Sequence, residues 1–425
     1  MNIIHSFKNI LINKTIRNGA LFSLFSFINR GFSFLLMMIL AGFLTPSEYG
    51  YLSLFGTVVL LVSYVIALST DSYLSVIYFS EGRKGVQNYF SSISFTIVIS
   101  CITCLAILLL FGNKISNLVD IPLNSLYLVI VICAFTVYAN SCLDLYRVKE
   151  RIKTYGLLSC SNAFLNLILS VLLIAGFSTG WIGRVYAQTL CSVLFGLVGI
   201  IIFVKQGYYC KIDFVYLKRM LLWGIPLIPH VATTFIKQGC DRFIINSNFG
   251  IEDVGMFSFA LNMSNILLMV GTGFNQSISV DIFKVLSNDS LSGNSKQTIL
   301  LDRNRKMVLV YLISGVLLLG VIYFITPYLL PKYTESINYM PLLIINAFLG
   351  CVTLLYSSYL YYYSKTKYIM YTTFICAVLH LLLSYLLTRF SLYYTCIVYC
   401  ISQGLIMCII VKLALKVVRE NITQK

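Results

Sequence analysis

About twelve apolar runs of helical length follow one another along the chain, near residues 20–43, 52–79, 89–112, 123–143, 156–176, 183–204, 224–246, 254–280, 307–329, 340–363, 369–388 and 392–415. A helix of roughly 20 such residues spans the hydrocarbon of a bilayer. Inside that hydrocarbon every backbone amide must find a partner within the protein, which leaves α-helices and closed barrels as the only spanning structures. Barrel strands read as short alternating segments. These runs are long and continuous, so the chain is an all-α integral membrane protein of about 12 transmembrane helices. Composition agrees, with 59% of the 425 residues hydrophobic, 11% charged and a mean hydropathy of +0.87. Nothing is left over for a sizeable soluble domain.

The cations orient the helices. Of the 31 lysines and arginines, Lys114, Arg184, Lys332 and Arg389 fall in loops on one side, while Arg30, Lys237 and Arg242 fall inside runs. All the others lie on the opposite side, which the positive-inside rule makes cytoplasmic. Both termini are therefore expected in the cytoplasm, and the net charge of +16 reflects topology, not a nucleic-acid surface. The opening segment 1–19 is basic and amphipathic without a small-residue cleavage site after a short apolar core. It is expected to lie along the inner surface instead of being removed.

Arg30 stands within the first run. At about 100° per residue, Ser23, Ser26, Arg30 and Ser33 share one sector of the helix, and this polar stripe must face protein or water. A charged side chain at mid-bilayer costs at least about 2.5–3.5 kcal/mol on insertion scales and marks either a pathway or a paired network. The seventh run repeats the feature: His230, Thr234, Lys237 and Asp241 follow i, i+4, i+7, i+11, with Arg242 beside them. Lys237 and Asp241 could neutralise each other at i, i+4. Pro226 and Pro229 interrupt the start of this helix, which membrane depth tolerates only against protein or a wet cavity.

An internal repeat ties the two regions together. Glu48-Tyr49-Gly50-Tyr51-Leu52-Ser53-Leu54 follows the first run, and Asp253-Val254-Gly255-Met256-Phe257-Ser258-Phe259 follows the seventh. Two pseudo-symmetric six-helix bundles are expected, at 20–204 and 223–415, joined by a cytoplasmic linker at 205–222 and ended by a tail at 416–425. Two-bundle transporters bind substrate between their halves and alternate access by rocking.

The stretches "LKRMLLWGIPLIPH", "DRFIINSNFGIEDVGMFSFA" and "LTPSEYGYLSL" resemble the polysaccharide transporter branch of the multidrug/oligosaccharidyl-lipid/polysaccharide flippase superfamily, specifically the O-antigen repeat-unit flippases. The resemblance extends over the whole chain in length, span number and bundle symmetry. It implies a short oligosaccharide on undecaprenyl diphosphate, moved from the cytoplasmic to the periplasmic leaflet of a bacterial inner membrane. It also implies membrane lipids, a polysaccharide polymerase and its chain-length regulator as partners. Arg30, Lys237, Asp241 and Arg242 look like positions where that family carries intramembrane charge. Physics favours such a substrate independently, since an unpaired anion in hydrocarbon costs tens of kcal/mol and cations along a cleft would lower that. The expected substrate-binding residues are Arg30, Lys237 and Arg242.

A carboxylate or imidazole in an apolar span can carry a proton. Asp71, read as lying in span two, is the foremost coupling candidate, followed by Asp241, Asp281 and His380. Coupling to protons or sodium ions is compatible with the energetics without being required, and no bound cofactor or metal is expected. Cys101 and Cys104 have redox spacing but lie mid-span with no histidine nearby, so they read as packing residues. The asparagines Asn162, Asn166, Asn262, Asn265 and Asn275, with Gln403, could line a sugar-compatible cavity or bond helices to each other. No nucleophile and base constellation or phosphate loop is found, which argues against an enzyme. A multidrug antiporter of the same superfamily is the main alternative, and would be expected to show acidic cavities.

Overall fold

A computed structural model describes residues 14–288 and 290–423. Among these residues every regular element is helical, and twelve helices are long and apolar enough to cross a membrane. The protein is a multi-pass membrane protein, as its runs require. Residues 1–13 of the expected amphipathic segment lie outside the described residues, as does the side chain of His230.

The first half contains α1 (Lys14–Phe43), α2 (Pro46–Ala67), α3 (Tyr73–Val119), α4 (Leu123–Val148), α5 (Ile152–Val171) and α6 (Gly180–Lys205). A seventh span is assembled from α7 (Phe214–Gly224), α8 (Ile228–Gln238) and α9 (Cys240–Phe249). There follow α10 (Ile251–Ser287), α11 (Gly293–Leu329), α12 (Met340–Tyr362), α13 (Thr366–Leu387) and α14 (Leu392–Thr423). The chain divides into two compact units. Unit 1 holds the chain through Leu44 together with Leu54–Val231, and unit 2 holds Thr45–Ser53 together with the chain from Ala232 onward.

Unit 1 is built around α4, packed between α3 and α6. Lipid tails are as apolar as leucine, so helices associate through close packing and hydrogen bonds instead of hydrophobic burial. Phe90 of α3 stacks on Phe203 of α6 with ring centroids 4.5 Å apart. On the other side α1 meets α5, where Asn29 Nδ2 donates to Ser159 Oγ at 3.0 Å.

The predicted second run, 52–79, contains a break. Helix α2 stops at Ala67, and Leu68 and Ser69 both take the left-handed region, at φ 48° and 55°. This conformation costs an L-residue about 1–2 kcal/mol. The turn is held by Thr70 Oγ1 donating to Ala67 O at 2.6 Å. Gly224 of α7 packs against it so closely that a Cβ would lie 2.6 Å from Leu68 O. Asp71 therefore sits in the turn between α2 and α3, half-buried, and not within span two as expected. Its carbonyl accepts from the buried Tyr89 hydroxyl at 3.1 Å. A second break interrupts α3 at Gly82, whose φ of 59° and ψ of −135° suit glycine alone.

The segment after α6 is fastened to unit 1. Gln87 Nε2 donates to Gly207 O at 2.8 Å, and Lys149 Nζ donates to Gln206 Oε1 at 2.7 Å while standing 4.7 Å from the Tyr208 ring centroid. Asp213 then caps α7, accepting from the backbone N–H groups of Val215 at 2.9 Å and Tyr216 at 3.3 Å. Replacing Asp213 with alanine is expected to cost about 1 kcal/mol, the usual worth of an N-cap. A thermal unfolding curve of the purified variant checks this.

Unit 2 begins with the first turns of α2. Thr45-Pro46-Ser47-Glu48 forms a capping box: Thr45 N and Glu48 N each receive a side-chain oxygen of the other, at 2.9 and 3.3 Å, with proline at the first helical position. These turns pack on α10, and the two copies of the repeat read from the sequence meet there. A Cβ at Gly50 would lie 2.1 Å from Ile251 O, and one at Gly255 would lie 1.8 Å from Pro46 O. Each glycine thus faces the carbonyl of the residue that opens the opposite helix. Three residues further on, Ser53 Oγ donates to Ser258 Oγ at 2.7 Å. Equivalent residues touching their own equivalents is the signature of a local two-fold axis. Tyr49, Phe259 and Tyr333 close around it, with Phe259 and Tyr333 centroids 4.5 Å apart.

Candidate functional site

The seventh span is not one helix. Gly239 separates α8 from α9, with φ −109° and ψ −50°, so the i, i+4 register between Lys237 and Asp241 is lost. The two do not pair. Lys237 Nζ donates to Gln403 Oε1 of α14 at 2.8 Å, and Gln403 Nε2 donates on to Thr353 Oγ1 of α12 at 3.1 Å. Asp241, in the first turn of α9, points instead into the core of unit 2.

There it meets His380 of α13. His380 Nε2 lies 2.8 Å from Asp241 Oδ2, and both residues have no exposed surface. Ser384, one turn further along α13, donates its hydroxyl to Asp241 Oδ1. On the far side of the ring, His380 Nδ1 lies 2.9 Å from Ser402 Oγ of α14, whose hydroxyl donates to Tyr399 O at 3.2 Å. The Ser402 hydroxyl stands between the ring and the Tyr399 carbonyl. His380 and Asp241 thus form a buried base and acid in direct contact. Tyr399 stands edge-on to the ring at 4.8 Å and donates its hydroxyl to Lys237 O at 2.7 Å.

A hydroxyl chain leads away from the carboxylate. Ser384 Oγ is 3.2 Å from Thr388 Oγ1, which is 2.9 Å from Thr395 Oγ1, and all three are fully buried. Such a chain polarises along its length and can pass a proton by rotation of successive hydroxyls. The signal that could have found its members is spacing: His380, Ser384 and Thr388 recur at i, i+4, i+8, and Thr395, Tyr399 and Ser402 at i, i+4, i+7. No single one of them stands out in the sequence as His380 does.

Arg242 follows Asp241 in the chain but turns to the two-fold contact. Its Nε donates to Ser53 Oγ and to Ser258 Oγ, the latter at 3.3 Å. It thereby clamps the repeated serines of α2 and α10. Nearby, Asn262 Nδ2 donates to the Tyr49 hydroxyl at 2.9 Å. Neither Lys237 nor Arg242 forms an ion pair among the described residues. Their hydrogen-bond partners are neutral oxygens.

Arg30 lies on α1 of unit 1, exposed, beside the Asn29 that bonds α5. Asp71 also belongs to unit 1, in the turn described above, whereas Lys237, Asp241, Arg242 and His380 belong to unit 2. Of the asparagines read as possible cavity lining, Asn262 bonds Tyr49, Asn275 receives the Ser358 hydroxyl at 3.4 Å, and Asn166 receives Arg184. These three bond neighbouring helices.

A family profile described as "Polysaccharide biosynthesis protein" matches residues 15–280. A Haemophilus influenzae protein of the Lsg locus is 22% identical over 379 residues, covering 88% of this chain and 90% of that protein. An uncharacterized membrane protein of the same organism is 22% identical over 360 residues, covering 82% and 84%. Among solved structures, the inward-facing conformation of a multidrug resistance MATE family transporter of the MOP superfamily superposes with a TM-score of 0.73 at 13% identity, over 95% of each chain. An outward-facing conformation of such a transporter gives a TM-score of 0.60 at 15% identity, over 98% and 97%. The fold is that of these transporters.

Proposed function

The chain belongs to the polysaccharide biosynthesis protein family, and from that premise we propose that it flips an undecaprenyl-diphosphate-linked oligosaccharide, an O-antigen or related repeat unit. The route runs from the cytoplasmic to the periplasmic leaflet of a bacterial inner membrane, by alternating access. The observation that carries this reading is the set of intramembrane cations whose partners are neutral: Lys237 on Gln403 and Arg242 on two serines. A diphosphate requires such cations, whereas a cationic drug would be repelled by them. Arg30 and Lys237 are assigned to the diphosphate. Arg242 contributes to the same positive field and secures the contact between the repeats. The prenyl tail stays in lipid.

The Asp241–His380 pair is assigned to coupling. It is fully buried and adjoins both the hydroxyl chain and, through Tyr399, the backbone of Lys237. A cytoplasm-negative potential already favours outward movement of an anion by about 2.3 kcal/mol per charge per 100 mV. Proton movement through the pair sets direction and return of the carrier instead of supplying the whole driving force. Asp71, in the packed turn between α2 and α3 of unit 1, is assigned no more than a place in the local charge balance.

Deleting the gene in its host and complementing with wild type or with Arg30→Ala tests the reading. Wild type is expected to restore long-chain surface polysaccharide, and Arg30→Ala to leave lipid-linked units on the cytoplasmic side. Full polymer from Arg30→Ala at normal expression would remove Arg30 from the site. Normal polymer in the deletion strain, with altered resistance to cationic drugs, would transfer the assignment to an antiporter.

A further inference from the structure

The sequence places Arg184 in a loop, and the structure places it in the second turn of the membrane-spanning α6. Its Nη1 donates to Asn166 Oδ1 and, at 3.1 Å, to Ser170 Oγ, both on α5. Ser170 is fully buried and its hydroxyl donates to Asn166 O at 2.6 Å, which leaves the oxygen lone pairs turned to the guanidinium. No carboxylate pairs with Arg184 among the described residues. The remaining N–H donors, on Nε and Nη2, have no acceptor among them either. These form the planar edge that binds a phosphoryl group through two parallel hydrogen bonds. The residue as a whole is half-buried.

The position within unit 1 adds meaning. Ser159, Asn166 and Ser170 recur at i, i+7, i+11 and so share a face of α5. Ser159 is the residue bonded by Asn29, next to Arg30. Asn166 and Ser170 lie about 10 and 16 Å further along the helix axis at 1.5 Å per residue. Directly beyond Ser170, α5 widens into the π-helical turn Leu172–Gly176, a distortion frequent at functional sites.

We propose that Arg184, presented by Asn166 and Ser170, is a second binding station for the phosphoryl anion of a lipid-borne substrate, displaced along α5 from the level of Arg30. This rests on the transport reading above and adds a second stop on its route. The first residue loads the anion, and the second holds it nearer the other end of the span.

Titration of farnesyl diphosphate into the purified full-length protein tests this, comparing wild type with Arg184→Gln, Arg184→Lys, Asn166→Asp and Arg30→Ala. Arg184→Gln is expected to weaken binding about ten- to a hundredfold, the worth of one or two charge-assisted hydrogen bonds, and Arg184→Lys to recover part of it. Asn166→Asp supplies the missing counter-charge, so it is expected to weaken binding similarly in a protein that keeps its packing, which covers the case of Arg184→Gln failing to fold. Wild-type affinity in both Arg184→Gln and Asn166→Asp, with Arg30→Ala weakened, would overturn the station and leave the transport reading standing. Absence of binding by wild type would remove both. Loss of co-purifying phosphatidylglycerol from Arg184→Gln, with farnesyl diphosphate binding intact, would assign the site to bilayer lipid and overturn its place on the route.

Discussion

Replacing His380 with alanine is expected to abolish transport and to lower the free energy of unfolding by about 3–5 kcal/mol, because it leaves the Asp241 carboxylate buried without its partner. Asp241 has no exposed surface, and Ser384 alone would remain to bond it. The same loss follows from Asp241→Ala, which leaves the buried His380 ring without that partner. The double variant Asp241→Leu with His380→Leu separates structure from coupling. Exchanging a whole buried ion pair for apolar side chains is often neutral or stabilising, so this protein is expected to regain stability while remaining inactive. Thermal unfolding in detergent and a polysaccharide assay in cells measure the two effects. Transport by the stable double variant would reduce the pair to a packing element and remove it from coupling.

Replacing Gly255 with alanine is expected to be nearly as damaging, although it adds a single methyl group. That carbon would lie 1.8 Å from Pro46 O and 2.7 Å from Pro46 C. The obstacle is backbone at the first turn of α2, held by the Thr45–Glu48 capping box, so no side chain can rotate away. Overpacking commonly costs about 1–3 kcal/mol, and here it also separates Ser53 from Ser258 and loosens the Arg242 clamp. Gly50→Ala is expected to match it, because the contact is reciprocal across the local two-fold axis. Gly31, which has no neighbour within reach of a Cβ, is the control. Its alanine variant is expected to retain full transport and unchanged stability, and a loss there equal to that at Gly255 would contradict the packing argument.

Span number and helical class were legible because hydrocarbon leaves the chain few choices, and long apolar runs report that directly. The repeat was legible too, since Gly50 and Gly255 stand at the same distance from Ser53 and Ser258. What the sequence could not show was that the two copies pack on each other. That is a tertiary fact, visible only as the distance from each glycine to the opposite helix's first carbonyl. The errors have local causes. Asp71 was placed inside a span because Leu68 and Ser69 make a left-handed turn without glycine or proline to announce it. Lys237 and Asp241 were given one face because a lone Gly239 within a helical pattern does not declare whether it ends the helix. Arg184 was counted with the loops because it stands at the very edge of its apolar run, whereas the helix begins a turn earlier, at Gly180. Asp241 and His380 were picked out by their rarity in apolar segments, but their contact spans 139 residues, and no local pattern encodes such a pairing.

The account rests on movement of a lipid-linked oligosaccharide, and reconstitution measures it most directly. Purified protein in vesicles would be given an undecaprenyl-diphosphate oligosaccharide carrying a fluorophore on its sugar, and a membrane-impermeant quencher would report the fraction in the outer leaflet over time. Wild type is expected to exchange the labelled lipid between leaflets, and Arg30→Ala and His380→Ala to leave it where it was loaded. Exchange no faster with wild type than in protein-free vesicles would contradict the account.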